Sequence, residues 1–130
     1  MSNLKFLTYA VPKVKAEINQ NFNFQEPQNI TLKPQFRRDI IKISENEFNN
    51  QLTVVIEDNE KPIPFSIEVS IRGAFSLENW ENEDNKDLVN TTSTATLFPY
   101  LRSLISQVSA MLNMPPYILP LLNINELFKD

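Results

Sequence analysis

The alternation of side chains between residues 65 and 77 constrains the fold of this chain more than any other feature of its sequence. Every second position is apolar or glycine, and most of the positions between them are polar. A period of two is typical of a β-strand that buries one face and leaves the other wetter. We therefore predict a long strand over residues 65–77. Its buried face contains Phe65, Ile67, Val69, Ile71, Gly73, Phe75 and Leu77.

Gly73 is the only glycine in the chain, and it lies on the apolar face of this predicted strand. Glycine has no side chain to pack, so it weakens a strand unless the backbone bends there or another group comes close. We expect one of these two features, a bend or a close contact, at Gly73.

An earlier strand is predicted over residues 14–24, where apolar side chains fall mostly on the even positions. One face of this strand should be exposed to solvent. The segment that follows, residues 26–38, contains Pro27 and Pro34. Because proline cannot donate to a strand ladder, we predict that this segment is a crossover and not an element of the sheet.

Two more strands are predicted over residues 39–44 and 51–57, which are rich in β-branched side chains. The polar stretch 45–50 separates them, although Phe48 could extend the pairing across this gap. The sequence therefore predicts a sheet of about four strands.

A helix is predicted after the sheet, because apolar side chains recur there at spacings of three and four. These are Leu97, Leu101, Leu104, Ile105, Val108 and Leu112. Thr94 or Thr96 could cap this helix, and Pro99 would lie in its first turn, where a missing N–H is harmless. The acidic stretch 80–92 before it is predicted to be a solvated segment or a polar helical turn.

The last part of the chain begins with residues 114–122, which contain three prolines and cannot be helical throughout. This apolar segment is predicted to be extended, either packed on its own helix or available to a partner. Asn123 or Asn125 can then cap a short final helix over 126–128. The prediction is an α+β fold, one domain over residues 1–130, with a four-stranded antiparallel sheet and two C-terminal helices packed on one face.

Composition excludes several classes of function. The chain contains no Cys and no His, which removes thiolate and imidazole metal ligands and the commonest general base. We therefore expect no metal, no cofactor and no enzymatic activity. A net charge of −4 argues against nucleic acid and anionic membranes as partners. Without a signal sequence or a long apolar span, the protein is expected to be cytoplasmic.

Short motifs in the second half of the chain resemble those of the SecB family. Residues 97–102 read LFPYLR, and the sequence from Met114 resumes with a proline-bearing stretch that ends in NINELF at residues 123–128. The predicted strand also resembles SecB, in which an F-x-x-E-V strand runs into G-x-F-S. The matching positions are Phe65, Glu68, Val69, Gly73, Phe75 and Ser76.

This resemblance implies a chaperone that wraps non-native polypeptides or preproteins in long apolar grooves and assembles as a homo-oligomer, a dimer or a dimer of dimers (a tetramer). In the family, the grooves are lined by the crossover loop, the sheet, and the last helix with its preceding loop. The corresponding polypeptide-binding residues here are Phe36, Phe75, Tyr117, Ile118, Leu119, Leu121, Leu122 and Phe128.

Two departures from the family pattern argue against the SecA motor as a partner. SecB proteins that deliver substrate to SecA have acidic residues on the outer sheet face and a C-terminal tail. The sequence ends at Asp130, directly after the last motif, and Glu68 alone matches an acidic sheet position. Near the end of the first strand the family's acids are replaced by Asn21, Asn23 and Gln25.

Three hypotheses for function follow. The first is an ATP-independent holdase for unfolded or extended polypeptides, with protein export as one process that it would serve. The second is an adaptor or regulatory protein with one dedicated partner, such as an antitoxin. The third, an acid/base enzyme, would require two carboxylates in a closed apolar pocket.

Overall fold

The computed structural model describes residues 3–24, 32–58 and 62–114. Four strands and one α-helix lie within these ranges: β1 (Lys5–Ile18), β2 (Gln35–Ser44), β3 (Glu47–Ile56), β4 (Phe65–Ser76) and α1 (Ser93–Met111). The strands form one antiparallel sheet in the order β1-β4-β3-β2. The predicted four-stranded antiparallel sheet is therefore confirmed.

The helix α1 packs on one face of the sheet, as predicted, and its contacts are mainly with the central strands β4 and β3. The core between helix and sheet contains fully buried apolar side chains from all three elements, including Ile71 of β4, Leu52 of β3 and Leu101 of α1. The predicted second helix at 126–128 and the extended segment after residue 114 lie outside the described residues.

A close contact explains Gly73. A Cβ atom built on this residue would lie 2.5 Å from Leu97 Cδ2 and 2.9 Å from Phe75 Cε2. Of the two predicted features, a bend or a close contact, the structure shows the close contact. The Leu97 side chain of α1 occupies the space that a side chain at position 73 would need.

The first strand differs from the prediction at both ends. It begins at Lys5 and stops at Ile18, so the predicted range 14–24 was wrong. Beyond Ile18 the Asn19 side chain accepts a hydrogen bond from the Asn21 N–H at 3.1 Å. This local turn competes with the strand ladder and directs the chain out of the sheet.

The second and third strands are both longer than predicted. β2 begins at Gln35, directly after Pro34, and β3 begins at Glu47 after a tight turn. Phe48 does extend the pairing: it lies opposite Lys42 on one side and Phe75 on the other. The polar stretch 45–50 therefore provides both the hairpin turn and the first residues of β3.

The helix starts before the residues predicted to cap it. A π-helical turn, Leu88–Thr92, runs directly into α1. The hydroxyls of Thr94 and Thr96 donate to backbone carbonyls four residues earlier instead of capping. Pro99 accordingly lies inside α1 and not in its first turn. The predicted polar turn before the helix is present as a short 3-10 helix, Glu83–Asn85.

Candidate functional site

Phe36 lies where the edge strand β2 faces the helix. It pairs with Val54 of β3, and its ring centroid is 5.9 Å from that of Phe98 on α1. Its side chain is half-buried, so part of the ring is accessible to solvent. This predicted binding residue therefore stands at the margin between sheet and helix, and its part in polypeptide binding stays a prediction.

Phe75 is placed differently. It is 0% exposed, and its ring is stacked between those of Phe6 and Phe48, at centroid distances of 5.3 Å and 5.4 Å. In the described structure Phe75 belongs to the core. It lies six positions along β4 from Val69, the residue in line with Phe36, which is about 20 Å along the strand. Phe36 and Phe75 are not brought together.

The remaining predicted binding residues lie outside the described residues. These are Tyr117, Ile118, Leu119, Leu121, Leu122 and Phe128.

A cleft of about 380 Å³ lies further along the helix side of β2 and was not predicted from the sequence. Ile40, Trp80 and Val89 supply its apolar lining, and Glu81, Glu83 and Lys86 are among its polar residues. The Trp80 indole N–H donates to the Ser44 carbonyl at 2.8 Å, which fixes the ring beside the edge strand. No sequence period marks this cleft, because it forms between β2 and a turn that is distant in the sequence.

Arg38 stands between Phe36 and Ile40 on the same face of β2 and donates from Nη1 to the Asn90 carbonyl at 2.9 Å. It ties the edge strand to the π-helical turn. On the helix side of β2, the guanidinium of Arg38 thus lies between two apolar side chains, Phe36 and Ile40. We call this surface the β2 strip. It consists of Phe36, Arg38, Ile40, Trp80, Val89 and Phe98.

The other edge strand, β1, carries a second apolar surface that the sequence interpretation missed. Several large side chains along it are substantially exposed: Leu7 50%, Tyr9 46%, Val14 54% and Ile18 42%. Tyr9 also lies 4.9 Å, centroid to centroid, from Tyr100 of α1. The sequence did indicate this part of the strand, because side chains that favour strands are concentrated before residue 14. They do not alternate regularly, so a search for a period of two did not detect them.

Glu68 lies on the sheet face opposite α1, among cations. Lys13 Nζ donates to Glu68 Oε2 at 2.8 Å. This hydrogen bond is the largest cause of a lowered pKa for Glu68, and the charges of Lys13, Lys15 and Arg37 lower it further. The one acidic sheet position shared with the family is therefore held ionised by a basic surrounding.

The comparisons with known structures agree with this architecture. A SecB-like chaperone from Mycobacterium tuberculosis, Rv1957, solved in complex with a peptide from the HigA1 antitoxin, superposes with a TM-score of 0.73 at 15% identity, over 92% of this chain and 90% of that one. A protein of unknown function from Streptococcus agalactiae superposes with a TM-score of 0.52 at 11% identity, over 93% of this chain and 99% of that one. The fold is thus that of the SecB-like chaperones.

Sequence comparison assigns the family. The SecB family model, described as preprotein translocase subunit SecB, matches residues 7–130. The protein-export protein SecB of Orientia tsutsugamushi is 29% identical, over 90% of this chain and 81% of its own length. An uncharacterized protein of Methanocaldococcus jannaschii, MJ0357, is 30% identical, over 95% of this chain and 75% of its own length. The chain belongs to the SecB family, as its motifs suggested.

Family membership supports a SecB-like chaperone role and the prediction that the chain is not an enzyme, because SecB proteins are chaperones. Within the described ranges, no helix has the length and apolar character needed to cross a bilayer.

Proposed function

We propose that this protein is an ATP-independent holdase that binds unfolded or extended polypeptides, including preproteins, in the cytoplasm. The observation that carries the proposal is the β2 strip, where the half-buried side chains of Phe36, Ile40 and Trp80 line the margin between an edge strand and the helix side of the sheet. Such a surface suits broad recognition, since burial of aliphatic and aromatic side chains does not require a particular sequence.

Backbone pairing gives a second source of affinity. In the strand order β1-β4-β3-β2, the outer edge of β2 pairs with no other described strand. An extended client laid along that edge gains main-chain hydrogen bonds and directs alternate side chains toward the β2 strip. Phe36 and Ile40 are four residues apart, about 13 Å along the strand, so two client side chains could be held at once.

The C-terminal residues named from the family resemblance complete this proposal. Tyr117, Ile118, Leu119, Leu121, Leu122 and Phe128 are proposed to form the remaining wall of the groove. Phe36 is proposed to contact the client directly. Phe75, which is fully buried, would act from beneath by supporting Phe6 and Phe48.

We also propose that the chain self-associates through β1 into a dimer and then a dimer of dimers. Exposed Tyr9, Val14 and Ile18 share the helix side of this edge strand, because they lie opposite Gly73, Val69 and Phe65 of β4. An edge strand with apolar side chains is a ready surface for pairing with a second copy. SecA is not proposed as a partner, because the one matching acidic position, Glu68, is paired with Lys13 and has the charges of Lys15 and Arg37 nearby.

A second candidate function is a dedicated adaptor that uses the same surface for one partner. The observation that favours it is the structural neighbour from M. tuberculosis, whose bound peptide comes from an antitoxin. In that case the β2 strip would bind one sequence tightly and unrelated unfolded chains weakly.

Suppression of aggregation distinguishes the two functions. The purified protein, stoichiometric with a denatured model protein and without nucleotide, should prevent its aggregation. The Leu119→Asp/Leu121→Asp double variant should lose this effect while keeping the circular dichroism spectrum of the wild type. A folded wild-type protein that suppresses nothing would exclude the general holdase and favour the adaptor.

A further inference from the structure

A buried asparagine lies behind the β2 strip. Asn50 of β3 is 0% exposed and pairs directly with Ile40 of β2. Directly paired residues of antiparallel strands direct their side chains to the same side of the sheet, so the Asn50 amide lies on the helix side, beside Ile40. Its Nδ2 donates to Ser93 Oγ at 2.7 Å and to Thr94 Oγ1 at 3.0 Å. Asn50 therefore connects a central strand to the first residues of α1.

The hydrogen bonds around this amide have a fixed direction. The Ser93 hydroxyl donates to the Val89 carbonyl. The Thr94 hydroxyl donates to the Asn90 carbonyl. Each hydroxyl has one proton and a carbonyl can only accept, so neither hydroxyl has a proton left for position 50. The side chain at position 50 must therefore supply two donors, which an amide does and a carboxylate or a hydroxyl does not.

The two carbonyls belong to the surface that is proposed to bind polypeptides. Val89 is a member of the β2 strip, and Asn90 lines the cleft beside it. Arg38, another member of the strip, donates from Nη1 to the Asn90 carbonyl at 2.9 Å. The Thr94 hydroxyl donates to that same carbonyl at 2.7 Å. Hydrogen bonds thus connect the buried amide of Asn50, through the start of α1, to the guanidinium at the centre of the strip.

The element between them is the π-helical turn Leu88–Thr92. In this turn the Ser93 N–H donates to the Leu88 carbonyl, five residues earlier. In an α-helix it would donate to the Val89 carbonyl, four residues earlier. The Ser93 hydroxyl takes that place at the Val89 carbonyl instead. Because the Asn50 amide holds this hydroxyl, it favours the π-helical turn over an ordinary α-helical one.

Stability alone does not account for an asparagine at position 50. Asn50 Oδ1 is buried and accepts no hydrogen bond from any residue that the structure describes. An unpartnered buried oxygen destabilises a folded protein, whereas an apolar side chain of similar size has no such cost. Proteins break the rule that buried polar groups are paired mostly where function requires it. π-helical turns, too, are rare and are frequent at functional sites.

We propose that Asn50 is a positioning residue of the β2 strip. Through two hydroxyls at the start of α1, it holds the π-helical turn in the shape that anchors Arg38 and forms one wall of the cleft. This inference rests on the proposed polypeptide-binding function. Asn50 is too deeply buried to contact a client, so it acts on client affinity only through the residues that the client meets.

The first test measures the affinity of the full chain for lysozyme whose cysteines have been reduced and alkylated, which keeps this probe unfolded. Asn50→Leu should bind the probe about tenfold more weakly than the wild type does, although it contacts no part of it. Its melting temperature should stay within about 5 °C of the wild-type value. Wild-type affinity in Asn50→Leu would overturn the proposal.

The matched control is Thr53→Val, which removes a buried hydrogen bond from the same strand. The hydroxyls of Thr53 and Ser70 are both buried, 2.8 Å apart and hydrogen-bonded to each other on the sheet face opposite α1. Thr53→Val should bind the probe within about twofold of the wild type. A tenfold loss in this control would overturn the proposal, because any loss of a buried hydrogen bond would then explain the effect.

A double-mutant cycle tests the connection through the Asn90 carbonyl. Arg38→Gln removes the guanidinium that this carbonyl anchors, so it should also weaken binding of the probe. Adding Asn50→Leu to Arg38→Gln should weaken binding by only about a further twofold, because the guanidinium that Asn50 positions is already gone. Two losses that simply multiply would overturn the proposal.

An NMR measurement without any client separates this proposal from the holdase function. The Arg38 Nη protons should exchange with water about tenfold faster in Asn50→Leu than in the wild type or in Thr53→Val. Equal exchange rates in the three proteins would overturn the proposal, whether or not the probe binds. A wild type that binds no unfolded probe would overturn the proposed function, and the exchange rates would still show whether Asn50 positions Arg38.

Discussion

At the scale of single residues, Gly73 shows how one position connects sheet and helix. Its missing side chain makes room for Leu97, which is fully buried on α1. The sequence predicted that something must be special at this glycine, because its alternation partners are all apolar. It could not identify Leu97, since the pairing of a strand with a particular turn of a helix depends on tertiary packing.

Replacing Gly73 with Ala should destabilise the protein by about 1–3 kcal/mol, because the new Cβ overlaps the Leu97 side chain in a filled core. The free energy of unfolding from urea denaturation measures this. The Gly73→Ala/Leu97→Ala double variant should lose less stability than the two single variants lose together, because the new Cβ no longer overlaps the Leu97 side chain. Strict additivity, or a neutral Gly73→Ala, would contradict this account of the contact.

Glu68 provides a prediction about pH. Its pKa is lowered first by the hydrogen bond from Lys13 and then by neighbouring cations. A lowered pKa in the folded state contributes stability above the unfolded-state pKa, and that contribution is lost as the pH falls through the folded-state value. An NMR titration should place the Glu68 midpoint below that of an ordinary glutamate, and Lys13→Gln should raise it. An unchanged Glu68 midpoint in Lys13→Gln would show that Lys13 is not the main cause of the lowered pKa.

At the scale of elements, the accuracy of the sequence interpretation depended on where a strand lies in the sheet. β4 is central and regular, and its predicted range, 65–77, matches the observed Phe65–Ser76 closely. β1 is an edge strand whose pairing with β4 shifts register between Phe6 and Thr8 and between Ala10 and Lys13. Each shift breaks the period of two, so the alternation rule detected only the second half of the strand.

The start of α1 was mispredicted for a different reason. Thr94 and Thr96 are residue types that favour caps, but here Thr94 is buried and contributes to a polar cluster inside the core. Asn50 of β3 donates to Ser93 Oγ at 2.7 Å and to Thr94 Oγ1 at 3.0 Å. The sequence alone cannot show that an asparagine side chain on a strand will donate hydrogen bonds to hydroxyls at the start of a helix.

This cluster should tolerate the loss of Asn50 better than the loss of Ser93. Asn50 Oδ1 is buried without a hydrogen-bond partner among the described residues, whereas Ser93 and Thr94 each keep a backbone carbonyl as acceptor. Asn50→Leu is therefore expected to change stability by less than about 1 kcal/mol, and Ser93→Ala to cost about 1–3 kcal/mol. Thermal and urea unfolding measure both. The reverse order would show that Asn50 is essential to the helix start.

At the scale of the whole molecule, the fold was easier to predict than the site. The alternation of residues 65–77 and the helical spacing after residue 97 were enough for the α+β class. The candidate residues came from family motifs, which place a side chain on an element but not in a cavity. Phe36 lies at an accessible margin, whereas Phe75 is enclosed by Phe6 and Phe48 about 20 Å away along the sheet.

The prediction about assembly is that copies of this chain associate through β1. Val14→Lys/Ile18→Lys should lower the mass measured by light scattering, because two cations replace exposed apolar side chains on an edge strand. The matched control is Ile41→Lys/Ile43→Lys, which alters exposed side chains on the other edge strand, β2. The control should keep the wild-type mass. An unchanged mass in the β1 variant would exclude this strand as the interface.

The central claim is that extended polypeptides bind along the helix side of β2, and adjacent residues of that strand test it most directly. Ile40 lines the cleft with Trp80, whereas Ile41 is 40% exposed on the opposite face of the sheet. We would measure the affinity of a permanently unfolded client for Ile40→Ser and for Ile41→Ser. The account predicts affinity about tenfold weaker for Ile40→Ser and unchanged affinity for Ile41→Ser. Equal affinities in two folded variants would contradict it.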